Sequence, residues 1–280
     1  MASRDILVVI DNPAHVGGLF APAAALAGAS GARFTGLYAG GYPAASAYGD
    51  LSGWMQLVEA YLEAQRAEAA AAAAAFRAEL AARKLDGDWI YREGEGDPSD
   101  SVIALAAVYD LVVLGQPDPA AEPAGAMALR PEAVVLGAGR PVLMVPYAGS
   151  FAEIGRRVLV AWNGTREAAR ALHDAMFALE RADVVIVIEV APPGEPGGSG
   201  RLAAADVAAA LARRGIAARA EIETAGDIGI DDLLLSRAAD LAADLLVMGA
   251  YGHSRLREFV LGGVSRGIFR HMTLPVLLAH

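Results

Sequence analysis

The sequence predicts an α/β protein built from two tandem, doubly wound parallel sheets of five strands each. Short runs of Val, Ile and Leu recur along the chain without alternating polar residues, which is typical of strands buried on both faces of a parallel sheet. Helix-forming segments separate these runs, as they do in doubly wound folds. The two halves of the chain also resemble each other, which indicates a duplicated domain.

The internal similarity is clearest around the fourth and fifth predicted strands of each half. Residues 110–115 (DLVVLG) match residues 244–249 (DLLVMG), and residues 141–144 (PVLM) match residues 275–278 (PVLL). Both matches have the same offset of 134 residues. Two matches at one offset are much harder to obtain by chance than either match alone.

A third match near the start of each half completes the repeat. Residues 6–12 (ILVVIDN) correspond to residues 158–164 (VLVAWNG) at an offset of 152, so the first half has 18 more residues between its first and fourth strands. We predict domains at residues 1–148 and 149–280. The segment 147–155 that joins them is too short for domains that tumble freely, so we expect the halves to pack closely.

Five strands are predicted in each half. In the first half they are Ile6–Ile10, Arg33–Tyr38, Trp89–Glu93, Leu111–Leu114 and Val142–Val145. In the second half they are Arg157–Ala161, Val184–Val190, Ala218–Glu223, Leu245–Met248 and Val276–Leu278.

The additional length of the first half lies between residues 40 and 84. Gly40-Gly41-Tyr42-Pro43 predicts a break in structure and a loop as far as Trp54. Residues 51–84 are rich in Ala, Glu, Gln and Arg and predict one long helix of about 50 Å. Its apolar residues are sparse, so this helix is either a flank of the fold or a lid or partner surface.

Composition favours a soluble, cytoplasmic protein. The chain has 280 residues and no cysteine, which excludes disulfides, thiolate metal sites and cysteine nucleophiles. Hydrophobic residues make up 55% of the chain, but no uncharged apolar run approaches the roughly 18 residues that a bilayer span needs. The net charge is −10 without a basic block, so neither nucleic acid nor a membrane is an expected partner.

A glycine-rich segment near the end of the chain is the strongest indication of a binding site. Gly249 and Gly252 follow the strand predicted at 245–248, and Gly262 and Gly263 precede a helix predicted at 264–271. Glycine lets backbone N–H groups approach a ligand, and a helix N-terminus adds the positive end of its dipole. This order of strand, loop and helix suits an anion, most often a phosphate.

The spacing of these glycines resembles the G-x2-G-x9-G-[S/T] nucleotide loop of universal stress proteins, and the resemblance extends over nearly the whole chain. It implies an adenine nucleotide alpha hydrolase-like sandwich that binds ATP, with Mg²⁺ as a possible companion. It also implies pairing of the two halves through their last strands. Whether two copies of the chain also form a homodimer is left open by the sequence. One departure matters: where the family has Ser or Thr after the last glycine, this chain has Gly263, although Val264-Ser265 still follows.

The site that the resemblance implies lies beyond the carboxyl ends of the second half's strands. The candidate cofactor-binding residues are Ala161, Asn163, Val190, Met248, Gly249, Gly252, His253, Gly262, Gly263, Val264 and Ser265. Asn163 stands where the family usually has Asp near the adenine and ribose, and it is equally consistent with a turn and helix cap. His253, Arg255 and Arg266 would meet phosphate charge or form part of a solvated surface. The loop 192–200, with four glycines, would close over a ligand or be an ordinary connection.

The first half keeps an acidic residue, Asp11, at the end of its first strand but lacks the phosphate loop. At the offset of 134 residues, Asp118, Ala128, Leu129 and Pro131 replace Gly252, Gly262, Gly263 and Ser265. Proline removes N–H donors and acidic side chains repel phosphate, so we predict no nucleotide there. This half would instead be a packing partner, or hold some other ligand near Asp11 and His15.

Catalysis has little support. The sequence has no P-loop and no nucleophile elbow, its five histidines lack metal-ligand spacing, and no carboxylate can be assigned to Mg²⁺. The expected function is a stress-response regulator that binds ATP or a related nucleotide in its second half, with at most slow hydrolysis. The alternative is a nucleotide-free scaffold that acts through protein–protein contacts. A third possibility, an adenylating enzyme, is disfavoured by the missing catalytic residues.

Overall fold

The computed structural model describes residues 5–28, 31–44, 51–118, 127–191, 202–224, 226, 228–250 and 263–280. Within these residues the strands are β1 (Asp5–Val9), β2 (Arg33–Tyr42), β3 (Gly87–Glu95), β4 (Leu111–Gly115), β5 (Val142–Val145), β6 (Arg157–Trp162), β7 (Val184–Ala191), β8 (Ala218–Thr224), β9 (Leu245–Gly249) and β10 (Val276–Ala279). The helices are α1 (Val16–Ala27), α2 (Leu51–Arg83), α3 (Pro98–Ala106), α4 (Pro131–Gly137), α5 (Arg166–Asp174), α6 (Met176–Leu179), α7 (Ala204–Ala212), α8 (Ile230–Asp240) and α9 (Gly263–His271). All ten predicted strands are present. None of the helices described is both long and apolar enough to cross a bilayer.

The strands form one ten-stranded sheet in the order β3-β2-β1-β4-β5-β10-β9-β6-β7-β8. Each half is a parallel five-stranded sheet with the same internal order, which confirms the predicted fold class. The halves join edge to edge through β5 and β10, which pair antiparallel, with Leu277 opposite Leu143. The pairing through last strands that the family resemblance implied is therefore seen within the chain, and it removes two exposed sheet edges.

Helices cover both faces of the sheet. Because successive strand residues point to opposite faces, Ile6 and Val8 belong to one core with α1, α2, α5, α6 and α7. Leu7 and Val9 belong to the other core, with α3, α4, α8 and α9. Each core contains side chains from both halves, so the halves share their hydrophobic interior.

The acidic residue that opens the repeated sequence has a structural role in both halves. The Asp244 carboxylate accepts hydrogen bonds from the backbone N–H groups of Gly155, Arg156 and Arg157, at 2.8 to 3.1 Å. In the first half, the Asp110 carboxylate accepts from the N–H of Asp5 at 3.1 Å. Each carboxylate therefore fixes the start of its half's first strand beside the start of the fourth.

Two local predictions around the first half's insertion are wrong. The expected break at Gly40 does not occur, because β2 continues to Tyr42 and pairs with β3 as far as Glu95. Glycine is needed here inside a strand, since a Cβ on Gly41 would lie 2.3 Å from the carbonyl oxygen of Gly96. The long helix predicted at 51–84 is confirmed as α2, which begins at Leu51, so the overlapping expectation of a loop as far as Trp54 is wrong.

The long helix α2 is a flank of the fold along its second half. Ala69, Ala72, Phe76 and Leu80 are buried against β2, β3 and α1, and Phe76 stacks edge-on against Phe20. Towards the start of the helix, apolar side chains face solvent: Met55 is 59% and Leu57 is 47% exposed.

Helices α5 and α6 follow each other closely and are divided at Ala175.

Candidate functional site

The carboxyl ends of β6 and β9 lie side by side in the second half. Ala161 pairs with Met248 in the register of these two parallel strands. Strand order reverses at this place, since β6 continues to β7 on one side and β9 to β10 on the other. In open α/β sheets such a switch point is where ligands bind. The fold thus brings together the strand-end residues that the sequence nominated.

Asn163 forms the turn between β6 and α5. Its Oδ1 accepts hydrogen bonds from the N–H and the hydroxyl of Thr165, at 3.2 and 2.8 Å. Thr165, not Asn163, is the N-cap of α5, and its hydroxyl accepts from the N–H of Ala168. Gly164 has a φ of 68°, a left-handed conformation that favours glycine. The Asn163 side chain is exposed while it supports this turn.

Gly249 lies where the first turn of α5 approaches the end of β9. A Cβ on this residue would lie 2.5 Å from the backbone nitrogen of Ala168 and 2.5 Å from the carbonyl carbon of Glu167. Only glycine permits this backbone contact without movement of the helix. Its counterpart in the first half, Gly115, has ordinary space, with the nearest atom on Leu19 at 3.5 Å. Gly249 therefore has a packing role that needs no ligand.

The helix after the glycine-rich loop begins as predicted. Helix α9 starts at Gly263, which is exposed and has no heavy atom of the described chain within 4 Å of a Cβ position. Val264 is half-buried, Arg266 is exposed and Ser265 is only 4% exposed.

Several residues that the sequence nominated lie outside the described residues. They are Gly252, His253, Arg255, Gly262 and the whole loop 192–200.

The end of β7 is organised around the start of α7. The carboxylate of Glu189 accepts a hydrogen bond from the N–H of Ala204, the first residue of α7, at 3.0 Å. The indole N–H of Trp162 donates to the carbonyl of Leu202 at 2.7 Å. Val190 is half-buried beside them. These contacts hold the residues on either side of the loop 192–200, which the sequence left open as a lid or an ordinary connection.

A cluster of possible metal ligands appears where the sequence gave no sign of one. Asp231, Asp232 and His271 each place a ligand atom within 4.8 Å of the others. The two acids open α8 and the histidine ends α9, positions where each charge also suits the helix dipole. The packing of α8 on α9 brings them together. Sequence spacing alone could not indicate this, because Asp232 and His271 are 39 positions apart in the chain.

The first half contains a cavity of about 550 Å³ beyond the ends of β1 and β4. This is the place where the sequence left open a ligand near Asp11 and His15, and both residues line it. Asp11 is exposed to the cavity, yet desolvation by the surrounding protein raises its pKa, with backbone hydrogen bonds and the charge of His15 opposing that shift. The cavity lies at the strand-order reversal of its own half, between β1 and β4.

Gln116, which sequence reasoning missed, connects this cavity to the second half. Its side-chain N–H₂ donates to the carbonyls of Phe269 and Arg270 at 2.9 and 3.2 Å, and its Oε1 accepts from the N–H of Tyr147. Helix ends leave such carbonyls without partners, so Gln116 caps the C-terminus of α9. The repeat offered one signal, since the matching position in the second half is the apolar Ala250.

Comparisons with known proteins agree with this architecture. The model of the universal stress protein family matches residues 2–146 and again residues 155–280. A universal stress protein from Synechocystis sp. is 26% identical over 181 residues, a match that covers 64% of this chain and 60% of that protein's length. The crystal structure of a universal stress protein from Archaeoglobus fulgidus DSM 4304 is similar over 98% of this chain and 95% of that chain, with 19% identity and a TM-score of 0.68. A universal stress protein solved in complex with cAMP is similar over 45% of this chain and 97% of its own, with 23% identity and a TM-score of 0.31.

Proposed function

Because the chain belongs to the universal stress protein family and carries two copies of its domain, we propose that it is a stress-response regulator that binds an adenine nucleotide in its second half. Nucleotide binding changes its affinity for a partner protein. ATP is the expected ligand, with Mg²⁺ carried by its phosphates, and hydrolysis is slow or incidental. The protein acts in the cytoplasm.

The observation that carries this proposal is where the elements on either side of the glycine-rich segment end and begin. Strand β9 ends at Gly249, beside the end of β6 at the strand-order reversal, and helix α9 begins at Gly263. Backbone N–H groups at the start of α9 have no partner within the helix and carry its positive dipole end. This arrangement favours a phosphate group in the position that the sequence motif nominates.

A nucleotide-free scaffold is the second candidate, and specific contacts favour it. Asn163 supports a turn, Gly249 makes room for α5, and the side chain of Ser265 is buried. Each of these residues therefore has a reason to be present without a ligand. The surface that such a scaffold would offer includes the exposed apolar start of α2, at Met55 and Leu57.

Calorimetry and thermal unfolding with Mg-ATP, AMP and no nucleotide separate the two candidates. A ligand that binds only the folded protein stabilises it by about 2.7 kcal/mol at 100 times its Kd. The variant Gly252→Glu, which adds a bulky negative charge to the loop, is expected to abolish that stabilisation. An absence of binding at millimolar nucleotide favours the scaffold, and a Gly252→Glu variant that binds as well as wild type places the site elsewhere. Measuring the ADP formed after incubation with ATP tests whether the protein hydrolyses ATP.

Restoring the missing hydroxyl gives a test in the opposite direction. Gly263→Ser places an Oγ at the start of α9 without a steric conflict with the described residues, none of which has a heavy atom within 4 Å of the Cβ position. One hydrogen bond to phosphate contributes about 0.5–1.5 kcal/mol, so the Kd for ATP is expected to fall about two- to tenfold. Gly94→Ser in β3, which also has open space, is the matched control and should leave the Kd unchanged. Equal affinities for all three proteins would contradict the placement of phosphate at α9.

A further inference from the structure

The first-half cavity is not suited to phosphate. The residues that replace the phosphate loop of the second half line its wall: Asp118, Ala128, Leu129 and Pro131. They present a carboxylate, apolar side chains and a residue without an N–H group where amides would be needed. At about 550 Å³ the cavity is nonetheless within the size range of small-molecule sites.

The charged groups of the cavity are acidic. Asp11, Glu68 and Asp118 are among the lining residues, and the described lining contains His15 but no lysine or arginine. The segment 119–126, which follows Asp118 in the chain, contains no basic residue in its sequence. A negative potential therefore surrounds the cavity, and it attracts a cation and repels an anion.

Glu68 is held in place by a neutral donor. The hydroxyl of Tyr38 donates to its Oε2 at 2.7 Å. Burial and this hydrogen bond raise the pKa of Tyr38 far above its usual range, so the phenol keeps its proton. A carboxylate has about four acceptor positions, so Glu68 can accept further hydrogen bonds from a ligand.

Gln65 forms part of the cavity wall. It is 7% exposed, and its Oε1 has no hydrogen-bond partner among the described residues. The Nε2 group donates to the carbonyl of Gly41 at 2.9 Å, which fixes the orientation of the amide. The Oε1 lies over Gly40, where a Cβ would come within 2.1 Å of it. This oxygen has almost no accessible surface, so it belongs to the packed wall behind the cavity and leaves the acceptors for a ligand to the carboxylates.

A single metal ion does not fit this arrangement. Across the described chain, Asp231, Asp232 and His271 form the one set of three ligand groups within 4.8 Å, so the acids of the cavity do not converge on a point. They are spread around walls that also contain Leu19, Leu129 and Phe151. Dispersed acceptors and apolar walls suit a cation with several donors and an apolar body.

We propose that the first-half cavity binds an organic cation, a protonated amine on an apolar or aromatic body. Its N–H groups donate to Asp11 and Glu68, and its body packs against the apolar wall. This site is separate from the nucleotide site of the second half and does not depend on it.

Three probes with the same indole body and different charge test the proposal by calorimetry on the full chain at pH 7.5. They are tryptamine, which is cationic, tryptophol, which is neutral, and indole-3-acetate, which is anionic. We expect tryptamine to bind at least about tenfold more tightly than tryptophol, since a hydrogen bond to a charged group contributes about 1.5–3 kcal/mol, and indole-3-acetate not to bind. Equal affinities for tryptamine and tryptophol, or no binding of tryptamine at millimolar concentration, would overturn the proposal.

Variants locate the binding. Asp11→Asn and Glu68→Gln keep the shape of each side chain and are expected to weaken tryptamine binding about tenfold each. Asp100→Asn, on the exposed first turn of α3, removes the same charge away from the cavity and should leave binding unchanged. Gly252→Glu should also bind tryptamine like wild type, which distinguishes failure of the nucleotide proposal from failure of this one. Circular dichroism confirms folding, and unchanged binding in both cavity variants refutes the site.

Discussion

The pair Gly249 and Gly115 allows one structural contact to be measured almost in isolation. The two glycines occupy the same place in the repeat, each at the end of its half's fourth strand. Replacing Gly249 with Ala puts a methyl group 2.5 Å from backbone atoms of Glu167 and Ala168. Ordinary contact needs about 1 Å more, and backbone atoms cannot rotate away as a side chain does, so α5 has to move.

The expected cost follows from overpacking in a dense interior. Such substitutions destabilise by about 1–3 kcal/mol. The loss of glycine's freedom in the unfolded chain offsets about 0.4–1 kcal/mol of this. We therefore expect Gly249→Ala to lower the free energy of unfolding by about 1–2 kcal/mol net. At roughly 2–4 °C per kcal/mol for a chain of this size, the Tm falls by about 2–8 °C.

The control is Gly115→Ala, because among the described residues its methyl group meets only the side chain of Leu19, at 3.5 Å. It should unfold within about 0.5 kcal/mol of wild type. Urea denaturation, followed by circular dichroism and by tryptophan fluorescence, measures both variants and tests whether the halves unfold together. Equal stabilities of the two variants would refute the assignment of a packing role to Gly249.

Three further outcomes are expected. Gln116→Ala should destabilise the protein by about 1–3 kcal/mol in urea denaturation, because carbonyls at the end of α9 lose their donor. Gln56→Ala, on the exposed face of α2, is the control and should have little effect. Similar losses of stability in both variants would contradict the role of Gln116 as a cap of α9. Ala242→Gly should raise the Tm, because Ala242 has a φ of 48° and relief of that left-handed strain contributes about 1 kcal/mol. Ala239→Gly, inside helix α8, is the control and should lower the Tm. A lower Tm in both variants would show that glycine at position 242 does not relieve strain. The raised pKa of Asp11 means that the folded state binds more protons than the unfolded state above pH 3.8, so the Asp11 carboxylate lowers stability as pH rises from there. Asp11→Asn should therefore gain stability relative to wild type as the pH rises from 4 to 7.5, as measured by urea denaturation. The reverse dependence would show that the pKa is lowered.

The strands and the repeat could be predicted from sequence because they depend on local patterns. Leu111 to Leu114 and Leu245 to Met248 are uninterrupted apolar runs, and such runs are buried on both faces wherever the parallel sheet places them. The duplicated order of strands followed from matches at one offset. The glycine spacing nominated the second half's site, and Asp11 and His15 nominated the first, before any contact was known.

What the sequence by itself determined is the order of elements, the duplication and the candidate binding residues, since each is written in neighbouring residues. Only the tertiary structure decided why particular residues stand where they do. Gly249 is needed because α5 approaches β9. Gln116 is needed because α9 of the other half ends beside it. The Oε1 of Gln65 is unpaired because the described residues around it offer no donor. The hydrogen bonds of Gln65 and Gln116 join residues that are 24 and 153 positions apart in the chain. Local sequence propensities carry no information about contacts at such separations. Steric exclusion and hydrogen bonding act through space, so they become visible only after the chain has folded.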